Sequence, residues 1–320
     1  MTQPSSRSRC IGHAQLLVAS QCQLGEGAGW DAQRQRIYWL DINVSCLHYC
    51  QPDGSGHTSI SLPRQTSYAA PTDEGDYLLV AADQLSRLNP QSGKVSDFMA
   101  FEADNPITRS NDARVDTHGS LWLSSMGLNA EPAAGSLYRL HNGKLSRLRK
   151  GLTIPNALCF SPDGRYAYFA DTPSGWIMRW TLDDDGFPQR LSTGEFIAPT
   201  PWSEQNQYAG LPDGAVMDDE GCLWVALWGA GRVVRLNPHG DEIAHVRLPA
   251  RQVSCPLLGG PERKTLYITT AREGLTNPAS FDGGLFQIDL SDYLKHSAGL
   301  AMPPLNLSGK SEHSIKHQTE

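Results

Sequence analysis

A strand–turn–strand–strand unit recurs six times along this 320-residue chain, and it restricts the fold more than any single motif does. Three copies are strong: "ARVDTHGSLWLSS" from Ala113, "ALCFSPDGRYAYFAD" from Ala157 and "AVMDDEGCLWVALW" from Ala215. In each, a strand runs into a turn with Asp and Gly, and a second strand with an aromatic follows. A third strand comes next: "GSLYRLH" from Gly135, "WIMRWTL" from Trp176 and "GRVVRLN" from Gly231. Weaker copies start at Ala28, Ala69 and Leu257. Helical periodicity is nearly absent, so the chain is all-β. Repeats of roughly 40 to 60 residues are the period of propeller blades. Radial repetition also removes long exposed sheet edges. The expected fold is a six-bladed β-propeller, a single domain over residues 1–320. A sandwich or a row of small domains fits less well, because six copies follow one another without linkers. The strand at "AQLLVAS" is expected to complete the last blade and close the ring. A short disordered leader precedes it, and a polar tail follows Pro303. The irregular stretch Leu191–Leu211 is expected to form a loop over the active face.

Composition removes several function classes. The net charge is −7 and no long Lys/Arg run occurs, which excludes a basic nucleic-acid surface. No apolar run approaches the roughly 20 residues of a membrane span, and the N-terminal residues make a poor signal peptide. These features predict a cytoplasmic protein with no membrane partner. Seven cysteines form no C-x-x-C, and they read as small buried hydrophobes in a reducing compartment. No G-x-S-x-G and no H-E-x-x-H appear, which weakens serine-hydrolase and zinc-protease readings.

The register of the repeat singles out a few polar residues. Asn111, Asn156 and Asp213 each lie eight positions before the turn glycine, as does Ser67, and Glu26 holds the matching place in the first copy. The innermost strand of each blade lines the axial channel, so Glu26, Asn111, Asn156 and Asp213 are expected to converge. Asn and Asp before a strand also serve as turn formers; the shared register favours convergence for the set. Two converging carboxylates repel, and a divalent cation is the simplest remedy. Oxygen ligands suit hard ions such as Ca²⁺, Mg²⁺ or Mn²⁺. Arg109 is either a solvated loop arginine or a donor fork above that site. Asp112 is either a supporting carboxylate or a turn residue. Trp30, Trp122, Trp224 and Tyr267 read as blade packing.

"LGEGAGWDAQRQRIYWLDI", "RSNDARVD", "GLTIPNALCFSPDGRYAYFADT" and "LPDGAVMDDEGCLWVALWGAGRVVRLNP" resemble the gluconolactonase / senescence marker protein / luciferin-regenerating family. The resemblance runs from about Leu24 to Leu290, with the four motifs in the family's order. It implies a sugar lactonase with one divalent cation (Ca²⁺, Mg²⁺, Mn²⁺ or Zn²⁺) in the channel. By motif, Glu26, Asn156 and Asp213 would be metal ligands, with Asp213 also the catalytic acid/base. Arg109 and Asn111 would hold the lactone. Where some members carry an acidic substrate contact, this chain has Asn129. Two other readings use the same scaffold: an esterase or organophosphate hydrolase, and a non-catalytic calcium-binding propeller.

Overall fold

The computed structural model describes residues 8–205 and 210–307. Its strands form six sheets. The innermost strands are Gly25–Asp31, Thr66–Pro71, Thr108–Val115, Pro155–Phe160, Leu211–Met217 and Val253–Gly259. Each packs against the next in chain order, and the sixth packs against the first, so the ring closes as a six-bladed propeller. Among the described residues the only helical element is one 3-10 turn, Thr172–Ser174. No helix there is long and apolar enough to cross a membrane.

The middle strands show why these residues form sheets. "YLLVA" at Tyr77–Ala81 is buried throughout, and "LWVALW" at Leu223–Trp228 is buried but for its last residue. Each blade is sandwiched between two neighbours, so both faces of its central strands must be apolar. Alternation survives only toward the rim: Val95–Ala100, an outer strand, is half exposed.

The Asp–Gly turns are more than punctuation. Asp116 Oδ1 accepts the amides of His118 and Ser120, each at 2.9 Å. Its Oδ2 accepts Trp122 Nε1 at 3.1 Å and Arg139 Nε at 2.9 Å. Asp218 repeats this with Glu220, Cys222, Trp224 and Arg235. One buried carboxylate thus fixes a turn, orients a core tryptophan and pairs with an arginine. Gly119 and Gly221 follow with φ near 72° and 75°, a conformation that glycine adopts at least cost.

The expected closing strand is present. Gln15–Val18 pairs antiparallel with Leu285–Asp289 as the outer strand of the sixth blade. Ahead of it, Arg9–His13 adds in parallel to Glu242–Arg247 of the fifth blade. Of the expected leader, Arg9–His13 is thus a strand, and residues 1–7 lie outside the described residues.

Two expectations are corrected. Within Leu191–Leu211, Thr200–Glu204 is the outer strand of the fourth blade. The stretch before it lies at the end of the blades away from the site: Asp184 O meets His118 of the Asp116 turn, while Arg190 pairs with Phe196. Glu204 ends its strand at the site end of the blades and Leu211 begins the next there, and 206–209 lie outside the described residues. The tail after Pro303 is in part a strap. Ala298 O accepts Asp219 N, Leu300 N reaches Met217 O, Leu305 N reaches Pro71 O and Asn306 N reaches Gly119 O. The chain thus crosses from the fifth blade to the second and third, and Leu305 is buried beneath it. Residues from 308 onward lie outside the described residues.

Candidate active site

All six inner strands carry a one-residue bulge near their first residues, at Glu26/Gly29, Thr66/Tyr68, Ser110/Ala113, Asn156/Cys159, Pro212/Ala215 and Val253/Pro256. A bulge breaks the ladder and re-aims a side chain. Here it turns polar side chains toward the axis at one end of the channel. Backbone space is tight there: a Cβ on Gly27 would lie 2.8 Å from Ser67 O, and one on Gly214 would lie 2.8 Å from Ser254 O.

The residues that share the register all lie on inner strands, near their first residues. Arg109, Asn111, Asn156 and Asp213 are buried, and Glu26 and Asp112 are half-buried. A hydrogen-bond chain locks the amides. Arg109 Nη1 donates to Ser110 O at 2.8 Å and to Asn111 Oδ1 at 3.0 Å. Asn111 Nδ2 donates to Asn156 Oδ1 at 3.1 Å and to Pro155 O at 2.9 Å. Asn156 Nδ2 donates to Thr172 Oγ1 at 2.9 Å, and Thr172 Oγ1 donates to Pro212 O at 2.8 Å. The chain spans the third, fourth and fifth blades and fixes which amide atom of each Asn is oxygen. Ser67, a member of the same register, donates to Ser110 Oγ at 2.8 Å.

Three acids share the space. Burial, and then the nearby Asp112, push the Glu26 carboxyl up. Burial, then Glu26, then Asp112, push Asp213 well above the ordinary carboxylate range. Asp112 rises to about 6 through burial, opposed by Arg114 and by the amides of Leu158 and Ala113. Its Oδ2 accepts Leu158 N at 2.8 Å, which makes it a link between the third and fourth blades. Among the described residues the Asp213 carboxylate receives the Gly214 amide, and no side chain donates to it.

Two arginines bracket the acids. Arg109 sits above them, its remaining N–H groups without a partner among the described residues. Arg114 lies below. It donates to Leu158 O at 3.3 Å, to Ala215 O at 2.5 Å and to Met302 Sδ of the strap at 3.6 Å. Thr172 and Arg114 were not selected from the sequence. Thr172 lies in the 3-10 turn outside the inner strands, and Arg114 follows the selected register by three positions.

Asn129 stands apart from this network. It is exposed, and its Nδ2 donates to Glu131 Oε1 at 2.9 Å. A second acidic group, Asp218, Glu220 and Cys222, lies at the opposite end of the fifth blade. Arg235 Nη2 fills it, at 2.7 Å from Asp218 and 2.5 Å from Glu220. Trp122, Trp224 and Tyr267 are blade packing, as expected, and Trp30 packs against the first-blade cluster. Among the seven cysteines, all free, five are buried.

Residues 24–272 match the family model described as the SMP-30/Gluconolactonase/LRE-like region. An L-arabinolactonase of Azospirillum brasilense is 38% identical over 285 residues, covering 86% of this chain and 91% of that protein. A 6-deoxy-6-sulfogluconolactonase of Pseudomonas putida is 32% identical, covering 80% and 86%. A solved structure, the calcium-binding protein regucalcin from Agrobacterium tumefaciens, superposes with a TM-score of 0.86 at 31% identity, covering 94% of this chain and all of that one.

Proposed function

The chain belongs to the SMP-30/gluconolactonase/LRE-like family, and from that premise we propose that it is a divalent-metal-dependent hydrolase that opens a sugar lactone to its aldonic acid. The observation that carries this reading is the convergence of Glu26, Asp112 and Asp213 beneath Arg109. The donor set fits a hard divalent cation: it is all oxygen, its acids are pushed up by burial and by one another, and no side chain among the described residues donates to Asp213. Glu26 Oε, Asn156 Oδ1 and Asp213 Oδ would hold the ion. What a bound cation supplies is positive charge among the acids and polarisation of an ester carbonyl.

The chain's own residues account for the rest of the chemistry. A lactone is a cyclic ester, so water must add to the carbonyl carbon and the ring C–O bond must break. Asp213 takes a proton from the attacking water and returns it to the departing ring oxygen, a role worth roughly 10²–10⁴ in rate for a placed acid/base. Arg109 and Asn111 orient the lactone, and the Arg109 N–H groups that no described residue accepts face the negative charge that develops on oxygen. Asn111 and Thr172 hold the Asn156 amide with its oxygen inward. Asn129, on the loop after the third blade's second strand, offers its Oδ1 to an outer hydroxyl.

The test is proton release on a panel of aldonolactones, with metal-stripped and metal-restored protein. Turnover should vanish on stripping and return with one or more of Ca²⁺, Mg²⁺, Mn²⁺ and Zn²⁺. No turnover of any lactone with any ion would sink the reading, and full turnover after stripping would remove its metal dependence. The regucalcin likeness favours a second reading, calcium binding without catalysis, which predicts tight Ca²⁺ binding and a silent panel.

A further inference from the structure

On the site face the loop after Ala271 lies against the segment that leads into Glu26. Arg272 N and Glu273 N both donate to Gln23 O, at 3.1 and 2.9 Å. This pins Glu273 at the seam of the sixth and first blades. Its Oε2 accepts Asn43 Nδ2 at 2.7 Å, and Oε1 has no partner among the described residues. Glu273 is exposed, so Oε1 is open to a ligand. Its charge also reaches the buried centre. Among the groups that support the Arg109 cation against burial, Glu273 is the strongest, ahead of Glu26 and Asp213. Arg109 and Glu273 thus face one mouth from different blades, one with spare donors and one with a spare acceptor.

Two cations of this rim have partners of their own. Arg64, on the same face, is matched by Asp83 at 2.9 Å. Arg272 turns its Nε to Asp282 O at 3.1 Å. A ligand entering between Arg109 and Glu273 therefore meets a fixed carboxylate at the rim.

We propose that Glu273 is a specificity-determining residue that selects neutral polyhydroxy lactones, accepting a hydrogen bond from a hydroxyl on the lactone's tail and repelling tails that carry phosphate or sulfonate. This rests on the lactonase reading and deepens it. A hydroxyl can donate to Oε1, whereas an anionic oxygen can only be repelled by it. The repulsion is partly screened by salt, since the rim is solvated.

The test compares wild type, Glu273→Gln and Glu273→Lys, all metal-loaded and full length, on glucono-1,5-lactone and its 6-phosphate. The ratio of kcat/KM for the phosphorylated over the neutral lactone should rise about tenfold in the Gln variant, and further in the Lys variant. The gain should shrink as salt increases. An unchanged ratio in both variants overturns the proposal. Calorimetric binding of gluconate and 6-phosphogluconate gives a second readout that needs no turnover. A shift toward the phosphorylated ligand in the Lys variant supports the proposal, and an unshifted preference overturns it. A wild type that hydrolyses no lactone but shows this shift would remove the lactonase reading and leave the charge selection standing.

Discussion

At one end of the axial channel Glu26, Asp112 and Asp213 share a space open to solvent; at the other, the strap formed by residues 298–306 lies across the opening. The same six strands build both ends. Their first residues carry bulges and present polar atoms inward. Their last residues run in regular register and line an apolar cavity of about 120 Å³ with Val115, Phe160, Met217 and Leu258. Met302 and Pro303 of the strap cover it. Arg114 separates the two worlds, touching Met302 Sδ on the closed side and opposing the rise of Glu26 and Asp112 on the open side. The open end thus holds charge that only part of the fold neutralises, while the closed end is built from apolar burial.

The largest effect should come from the open end. Asp213→Ala is expected to lower lactone turnover by about 10³-fold or more and to weaken divalent binding. Wild-type turnover with metal present would show that the acid/base lies elsewhere.

Arg114→Met tests whether the closed end serves the open one. The variant removes the cation that opposes the rise of Glu26 and Asp112 and leaves the Leu158 and Ala215 carbonyls without this donor, a loss of about 1–3 kcal/mol for a buried polar group left unpaired. Metal-free protein should lose most of that in denaturant melts, and added divalent ion should restore part of it. Equal losses with and without metal would mean that Arg114 only packs.

Leu305→Ala loosens the strap without touching either arginine. It should cost about 2–5 kcal/mol of stability and leave kcat within about twofold. A large fall in kcat at temperatures where the variant is folded would tie the strap to catalysis directly.

The acids set a pH signature. Glu26 and Asp213 bind protons more tightly folded than unfolded, and Glu26 is pushed up to about 8. Their contribution is fully present below the ordinary carboxylate range and is lost as pH rises through the folded values. Metal-free protein should therefore melt earlier at pH 8 than at pH 6. Bound metal favours the charged acids and should shrink or reverse the slope. Melts with identical slopes in both forms would contradict this.

The smallest change is expected at Asn129, which lies outside the hydrogen-bonded network. Asn129→Ala should raise KM by roughly two- to fivefold with kcat unchanged. A change in kcat alone would place Asn129 nearer the reacting atoms than its exposure suggests.

The sequence made the ring legible because its turn carries its own signature. Asp116 and Asp218 recur with a tryptophan six residues on, and the same carboxylate does the structural work in both blades. Counting back from the turn glycine then found Asn111, Asn156 and Asp213. The same count could not find Thr172, because it supports Asn156 from outside the inner strand. It could not find Glu273 either, since that residue reaches the mouth from a loop of the sixth blade. The strap was illegible for a different reason. Its bonds go to backbone atoms of Pro71, Gly119 and Met217, and no side-chain pattern in "AMPPLNL" records such partners. Arg9–His13 likewise joins the fifth blade by backbone pairing alone.

The sixth blade is a composite of the chain's two ends. Gln15 pairs with Gln287 and Leu16 with Phe286, so a strand made among the first waits for one made among the last. During synthesis the first five blades must therefore persist as an open arc with two uncovered apolar sheet faces, the kind of surface that promotes association. Closure over so long a loop makes for slow folding. Once shut, the seam cannot fray from one terminus without tearing a sheet in the other, which favours a long-lived native state over a quickly formed one.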